Sequence, residues 1–156
     1  MSRILKPLPD YTKGEELFNW ISHAVGAALA IAACVLLTVF AALYGDAWCV
    51  VSCSIYGAML IILYMMSTLY HALRPNKAKR VFQIIDHCSI FLLIAGTYTP
   101  YTLVTLRREG AWGWTLFGVV WGMAVLGIVL NAVDLHRFKK FSMVCYIGMG
   151  LSLIHI

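Results

Sequence analysis

The chain has 156 residues, of which 62% are hydrophobic and only 12% are charged, and its formal net charge is +5 at pH 7. Its mean hydropathy of +0.82 excludes an ordinary soluble domain, because so few polar residues cannot cover a globule of this size. The excess basic residues lie in short segments beside apolar runs, where Lys and Arg interact with anionic lipid headgroups. We therefore expect a membrane protein whose partners are membrane lipids, and charge alone gives no support to nucleic-acid binding.

Four uncharged runs along the chain each reach the roughly 20 residues that a helix needs to cross a bilayer. They cover residues 17–45, 47–73, 87–106 and 110–133. A fifth apolar run starts after Lys140 and reaches only Ile156, which is short for a crossing. The sequence thus predicts an all-α polytopic transmembrane bundle over residues 17–156, with four spans and a partial fifth, preceded by an N-terminal arm over residues 1–16.

The basic residues are distributed unevenly between the two sides of the predicted bundle. Ten of the 12 Lys and Arg residues lie in the arm, in segment 74–80 after the second span, or in segment 137–140 after the fourth. The other side has only Arg107 and Arg108. Because positively charged loops stay on the cytoplasmic side, this distribution predicts a cytoplasmic N-terminus.

Polar residues mark the cytoplasmic ends of the second and third predicted spans. Ser67 and His71 are four residues apart, so on a helix they share one face. The Pro-Asn pair at 75–76 predicts a turn that ends this helix, and we expect the third span to begin at Asp86. The three side chains should then meet at one depth.

The first predicted span adds His23, with Asn19 and Glu16 nearby, and His87 follows Asp86 in the third. Imidazole, carboxylate and hydroxyl groups in a partly desolvated pocket can hold zinc and leave one position for a reactive water. The alternative stays open that these histidines only hydrogen-bond between helices and that Asp86 only caps a helix N-terminus. Their joint placement favours a functional site, because ionisable groups inside a membrane are costly.

Other residues in the apolar runs are predicted to serve packing. Gly118, Gly122 and Gly127 should let the fourth helix approach a neighbour closely. The five cysteines include no C-x-x-C pair, so we expect packed free thiols rather than a disulfide.

Four short motifs give the sequence a specific resemblance. They are E-E-L-F-N-W-I-S-H at 15–23, S-T-L-Y-H at 67–71, D-H at 86–87 and A-G-T-Y-T-P-Y at 95–101. Together they resemble the hemolysin III family, the bacterial relatives of the progestin and adiponectin receptors. The resemblance implies a seven-helix protein of the bacterial plasma membrane with a cytoplasmic N-terminus. The final residues, LSLIHI, depart from the family pattern, so we expect the chain to be C-terminally truncated relative to the family.

The resemblance also implies a zinc site on the cytoplasmic side. His71 matches a zinc ligand of the family, Asp86 matches the aspartate that holds the metal-bound water, and Ser67 matches the family's serine. We therefore predict all three as metal-site residues, and Asp86 and Ser67 as catalytic. Four further residues are expected to orient the ligands: His23, His87, Asn19 and Glu16. The family's H-x-x-x-H motif on the seventh helix, which supplies two more zinc ligands, is absent from this sequence, so we expect this chain by itself to be inactive.

Several functions are compatible with this resemblance. The wider superfamily includes ceramidases, which implies a zinc-dependent hydrolase that cleaves a lipid amide or ester. Hemolysin III is named for lysing red cells, which implies instead a pore-forming protein or channel. In a non-catalytic receptor the same pocket would only bind lipid. The sequence does not indicate the oligomeric state.

Overall fold

The computed structural model describes residues 8–9 and 11–152, with side chains described as far as residue 150. The last four residues of the divergent LSLIHI end lie outside this range. The described chain forms five α-helices: α1 (Lys13–Tyr44), α2 (Ala47–Ala72), α3 (Lys77–Pro100), α4 (Trp112–Asp134) and α5 (Lys139–Ser152). A π-helical turn (Tyr101–Thr105) and a 3₁₀ turn (Leu106–Glu109) continue α3.

Four helical segments are long and apolar enough to span a membrane: Lys13–Tyr44, Ala47–Ala72, Lys77–Glu109 and Trp112–Asp134. The fifth helix has 14 residues, fewer than a crossing needs. Large apolar side chains such as Leu29, Leu36 and Val129 point outward, as a surface in contact with lipid tails requires. The prediction of an all-α bundle with four spans and a partial fifth is confirmed.

Polar side chains define where the first two helices begin. Thr12 and Glu15 form a capping box, in which each side chain accepts a hydrogen bond from the other's backbone N–H. This cap starts α1 at Lys13, inside the segment that we assigned to the N-terminal arm. Asp46 caps α2 by accepting a hydrogen bond from the Cys49 backbone N–H at 2.9 Å.

The third helix begins earlier than predicted. The turn at 75–76 forms as expected, and the Asn76 side chain caps α3 by accepting from the Lys79 backbone N–H at 2.8 Å. Asp86 therefore lies in the interior of α3, more than two turns after its start at Lys77, and the expectation that the third span begins at Asp86 is wrong. The charged residues after the turn continue the helix, because Lys and Arg are good helix formers and Lys79 finds a charged partner.

The helices pack in chain order, and α5 contacts α3 and α4. The core between α3, α4 and α5 consists of Phe91, Ala95, Tyr98, Val120, Ala124, Cys145 and Met149. All five cysteines are free, as predicted.

Of the three glycines noted in α4, one allows a close contact between α4 and α3. Gly127 lies against the Phe91 ring so closely that a Cβ atom there would collide with it. Gly118 and Gly122 are exposed, and apart from the nearby backbone of α4 itself no atom of the described residues lies within 4 Å of the position a Cβ would take. Close packing through the G-x-x-x-G pair is thus not found within the described part of the chain.

The chain connections alternate between two ends of the bundle. The α1–α2 and α3–α4 connections form what we call the far end, and the α2–α3 and α4–α5 connections, with the start of α1, form the basic end. At the far end, Asp46 Oδ2 lies 3.9 Å from Arg107 Nη2 and 3.7 Å from Arg108 Nη2. The Arg107 guanidinium also lies 4.5 Å from the Trp48 ring centre. Connections predicted to share a side of the membrane therefore share an end of the bundle.

Candidate functional site

The predicted site residues of α2 lie buried near the basic end. Ser67 is 5% exposed and His71 is 9% exposed, and their spacing of four residues places them one turn apart on the same helix face. This face turns towards α1 and α3, so that both side chains point into the bundle rather than into lipid.

Glu16, in the first turn of α1, connects three helices through its carboxylate. Its Oε2 lies 2.7 Å from Nδ1 of His71, and its Oε1 lies 2.6 Å from Nζ of Lys79. A carboxylate can only accept, so Nδ1 of His71 donates its hydrogen to Glu16, and in the neutral imidazole this leaves the lone pair on Nε2. This is the arrangement that prepares a histidine to bind a metal ion through Nε2.

Lys79 is the main residue of the site that the sequence analysis missed. We placed it in a basic loop, but it lies on α3 with only 3% of its side chain exposed. Besides Glu16, it donates to the Leu73 carbonyl oxygen at 2.9 Å, and its ammonium lies 5.1 Å from the Tyr70 ring centre. A signal existed in the sequence, because Lys79, Gln83 and Asp86 follow the helical spacing of one face.

His23 extends the site from α1. Its ring is stacked on the His71 ring, with 5.9 Å between the centroids and 11° between the planes. Its Nδ1 lies 2.7 Å from the Asn19 backbone carbonyl oxygen, so Asn19 orients His23 through its main chain. The Tyr64 ring packs against His23 from α2.

Asp86 lies beside these groups on α3, with 15% of its side chain exposed. The Ser67 hydroxyl is its neighbour, and His71 and His23 are close enough to act on its charge. His87 lies at the edge, where its Nδ1 donates to the Gln83 carbonyl oxygen at 2.9 Å and is 3.7 Å from Asp86 Oδ2. The structure thus brings Ser67, His71, His23 and Asp86 together and leaves His87 more peripheral.

Aromatic side chains enclose His71. The Tyr70 ring centroid is 4.6 Å from that of His71, and Tyr11 meets it edge-on at 5.6 Å. Tyr70 is only 2% exposed. These rings cover the His71 ring, which is 9% exposed, and burial strengthens the electrostatic interactions of its side chain.

A metal ion needs more ligands than this cluster offers. Within residues 8–9 and 11–152, no group of three or more His, Cys, Asp or Glu side chains is arranged to hold a metal. His71 and Asp86 have suitable chemistry, but a catalytic zinc site has three protein ligands, and the Ser67 hydroxyl is a poor third. The described residues therefore do not form a zinc site by themselves.

A second polar network joins α3, α4 and α5 near the cluster. Asn131 is fully buried. Its Oδ1 accepts from the Ser142 hydroxyl at 2.6 Å, and its Nδ2 donates to the Tyr146 hydroxyl at 3.4 Å. Tyr146 in turn donates to the His87 backbone carbonyl oxygen at 2.9 Å. This network therefore holds α4 and α5 against α3, next to Asp86.

Comparison with known proteins gives this site a family context. Residues 11–156 match the profile of the family described as "Haemolysin-III related". The chain is 44% identical over 140 residues to Hemolysin-3 of Bacillus cereus and 44% identical over 144 residues to a Hemolysin-3 homolog of Bacillus subtilis (strain 168). It is also 27% identical over 143 residues to the monocyte to macrophage differentiation factor of Homo sapiens.

The matched regions cover most of this chain but only part of the relatives. They include 90% and 92% of this chain, but 63% and 67% of the two Bacillus proteins, and 88% of this chain but 58% of the human protein. The chain therefore spans about two thirds of the length of the bacterial relatives. No solved structure matches it significantly. The family match and the identity to both Bacillus proteins show that the chain belongs to the hemolysin III family.

Proposed function

We propose that the protein acts as a zinc-dependent hydrolase of a lipid amide or ester in the bacterial plasma membrane, with its N-terminus in the cytoplasm. The observation that carries this proposal is the convergence of Ser67 and His71 from α2 with Asp86 from α3 in one buried cluster. Glu16 supports it, because a carboxylate on Nδ1 of His71 leaves Nε2 available. The missing zinc ligands would come from outside this sequence, and the resemblance assigns them to the family's seventh helix.

Each residue of the cluster has a chemical role in the proposal. Asp86 accepts a proton from the attacking water through a carboxylate oxygen. Ser67 donates a hydrogen bond to that carboxylate and holds it in position, and Glu16 fixes the ring of His71. A zinc ion, when bound, supplies a water that ionises near neutral pH.

A membrane lipid is the substrate that suits this location. The cluster lies between helices whose outer faces are apolar, so a lipid can reach it sideways from the bilayer. At the basic end, the reacting group of such a lipid would lie near the headgroup region, where water is present. An amide or ester bond lies at this depth in a lipid, between the acyl chains and the headgroup.

The proposal is tested by metal analysis and enzymology on the complete protein expressed from its gene. We expect about one zinc per chain, and hydrolysis of fluorogenic lipid amides or esters that falls at least about 100-fold in Asp86→Asn. His71→Ala should lose both zinc and activity. His136→Ala is the matched control, because His136 is an exposed histidine of the α4–α5 turn. Hydrolysis that survives chelation, Asp86→Asn and His71→Ala would overturn the proposal.

A pore-forming function is the second candidate, and the name of the Bacillus cereus relative favours it. Leakage of dye from lipid vesicles separates the two. If the protein forms a pore and the polar cluster has only a structural role, dye release should be the same before and after chelation and in Asp86→Asn. Lipid binding with neither hydrolysis nor leakage would indicate a receptor.

A further inference from the structure

The hydroxyl group of Tyr70 is buried without a partner. Tyr70 is 2% exposed, and its hydroxyl forms no hydrogen bond with any described residue. Buried tyrosine hydroxyls normally find a hydrogen-bond partner. A hydroxyl left open at a site of clustered ionisable groups therefore points to a ligand that is bound there during function.

The surroundings of this hydroxyl define what it can bind. The Lys79 ammonium beside the Tyr70 ring already donates to Glu16 and to the Leu73 carbonyl oxygen. Asp86 lies within electrostatic range of the hydroxyl, and the Gln83 side chain is next to it without forming a well-aligned hydrogen bond. A phenol O–H donates one hydrogen bond, and the Lys79 ammonium 5.1 Å from the Tyr70 ring centre favours an oxygen that gains negative charge. The missing partner is therefore an oxygen atom that accepts a hydrogen bond.

We infer that the Tyr70 hydroxyl binds the carbonyl oxygen of the lipid amide or ester, an inference that rests on the proposed function. When the oxygen of water bonds to the carbonyl carbon, one electron pair of the C=O bond moves onto the carbonyl oxygen, and the water proton passes to Asp86. Tyr70 keeps its own proton and donates it in a hydrogen bond to the developing oxyanion. The C=O bond then re-forms as the C–N or C–O bond breaks with its electron pair, and the departing amine or alcohol takes the proton from Asp86.

The test is Tyr70→Phe, which removes only the hydroxyl, with Ser52→Ala as the matched control. Ser52 is also on α2, and its hydroxyl is likewise buried without a partner among the described residues, but it lies far from the cluster. In Tyr70→Phe we expect kcat to fall about 100-fold, the effect of losing one oxyanion donor, and KM to rise by no more than about tenfold, because the hydroxyl also binds the carbonyl oxygen before the reaction. The melting temperature and zinc content should equal those of the wild type, because no protein partner is lost. Ser52→Ala should change none of these quantities.

Binding of a short-chain lipid amide to Asp86→Asn protein provides a second readout that needs no turnover. Adding Tyr70→Phe should weaken this binding about tenfold, the value of one hydrogen bond. Unchanged kcat and binding in Tyr70→Phe would overturn the inference and leave the proposed function intact. A lowered melting temperature that accounts for the lost activity would overturn it as well. If Tyr70→Phe weakens binding but Asp86→Asn does not reduce hydrolysis, the inference is supported and the proposed function is contradicted.

Discussion

At the residue scale, Lys79 shows how a membrane helix can hold a buried charge. Removing an ammonium group from water costs several kcal/mol, and here Glu16 Oε1 at 2.6 Å and the Leu73 carbonyl oxygen at 2.9 Å replace the water. The same carboxylate contacts His71. The ion pair thus joins α1 to α3 and holds the imidazole ring at the same time.

Lys79→Met should destabilise the protein by roughly 3 kcal/mol, the lower end of the cost of breaking a buried ion pair. We choose the lower end because the Glu16 side chain keeps 21% exposure and can recover some hydration. Lys77→Met is the control, because Lys77 is exposed at the start of the same helix. The free energy of unfolding, measured by SDS titration in mixed micelles, checks this. Equal values for the two variants would show that the ion pair does not contribute.

The sequence predicted part of the candidate site. Ser67, His71 and Asp86 are found from their spacing and from the resemblance, and the structure brings them together. Lys79 was missed because a lysine among other basic residues is usually exposed, and its burial depends on Glu16, 63 positions earlier in the chain. Tyr70 was missed because an aromatic residue in an apolar helix looks like ordinary core.

At the scale of helices, the α3–α4 contact depends on the absence of a side chain at Gly127. Gly127→Ala should lower the free energy of unfolding by about 1–2 kcal/mol, since overpacking costs about 1–3 kcal/mol and the gain in helix propensity offsets part of it. The Phe91 ring is fully buried, so moving it would disturb the core between α3, α4 and α5. Gly122→Ala, in the same helix, should leave stability unchanged or raise it by up to about 1 kcal/mol. Equal losses in both variants would contradict this contact.

The cap of α2 makes a pH-dependent contribution to the stability of the folded protein. The hydrogen bond from the Cys49 backbone N–H lowers the pKa of Asp46 from its ordinary value of 3.8, and Arg108 and Arg107 add to this effect. A carboxyl group with a lowered pKa in the folded state stabilises the protein above its unfolded pKa and loses this effect as the pH falls through the folded pKa.

Asp46→Asn keeps a good capping side chain but removes the titration. We expect the wild type to have the higher melting temperature from pH 8 to pH 5, and this difference to disappear as the pH falls below about 4. Comparing the two proteins across the pH range cancels the titration of all other groups. A difference that stays constant down to pH 3 would show that the charge of Asp46 does not stabilise the cap.

The sequence predicted the helices better than their starting points. Uncharged runs identify spans reliably, because lipid excludes charge. The same reasoning placed the start of the third span at Asp86, since it treats charged residues as lying outside the membrane. The helix instead begins at Lys77, because the Asn76 cap and the Glu16–Lys79 pair satisfy its polar groups.

At the scale of the whole molecule, the placement of charge and the candidate site are linked. The polar cluster lies at the basic end, together with the α2–α3 and α4–α5 connections that carry most of the Lys and Arg residues. If this end is cytoplasmic, as the distribution of charge predicts, then the reacting groups proposed here face the cytoplasmic leaflet. The orientation therefore determines which leaflet would supply the proposed lipid substrate.

This orientation is tested with single cysteines in a variant whose five native cysteines are replaced. Pro75→Cys lies in the α2–α3 connection at the basic end, and Ala111→Cys lies in the α3–α4 connection at the far end; both positions are exposed. In intact spheroplasts, a membrane-impermeant maleimide should label position 111 at once and position 75 only after permeabilisation. The reverse pattern would place the basic end outside the cell, and the polar cluster would then have to act on lipids of the outer leaflet.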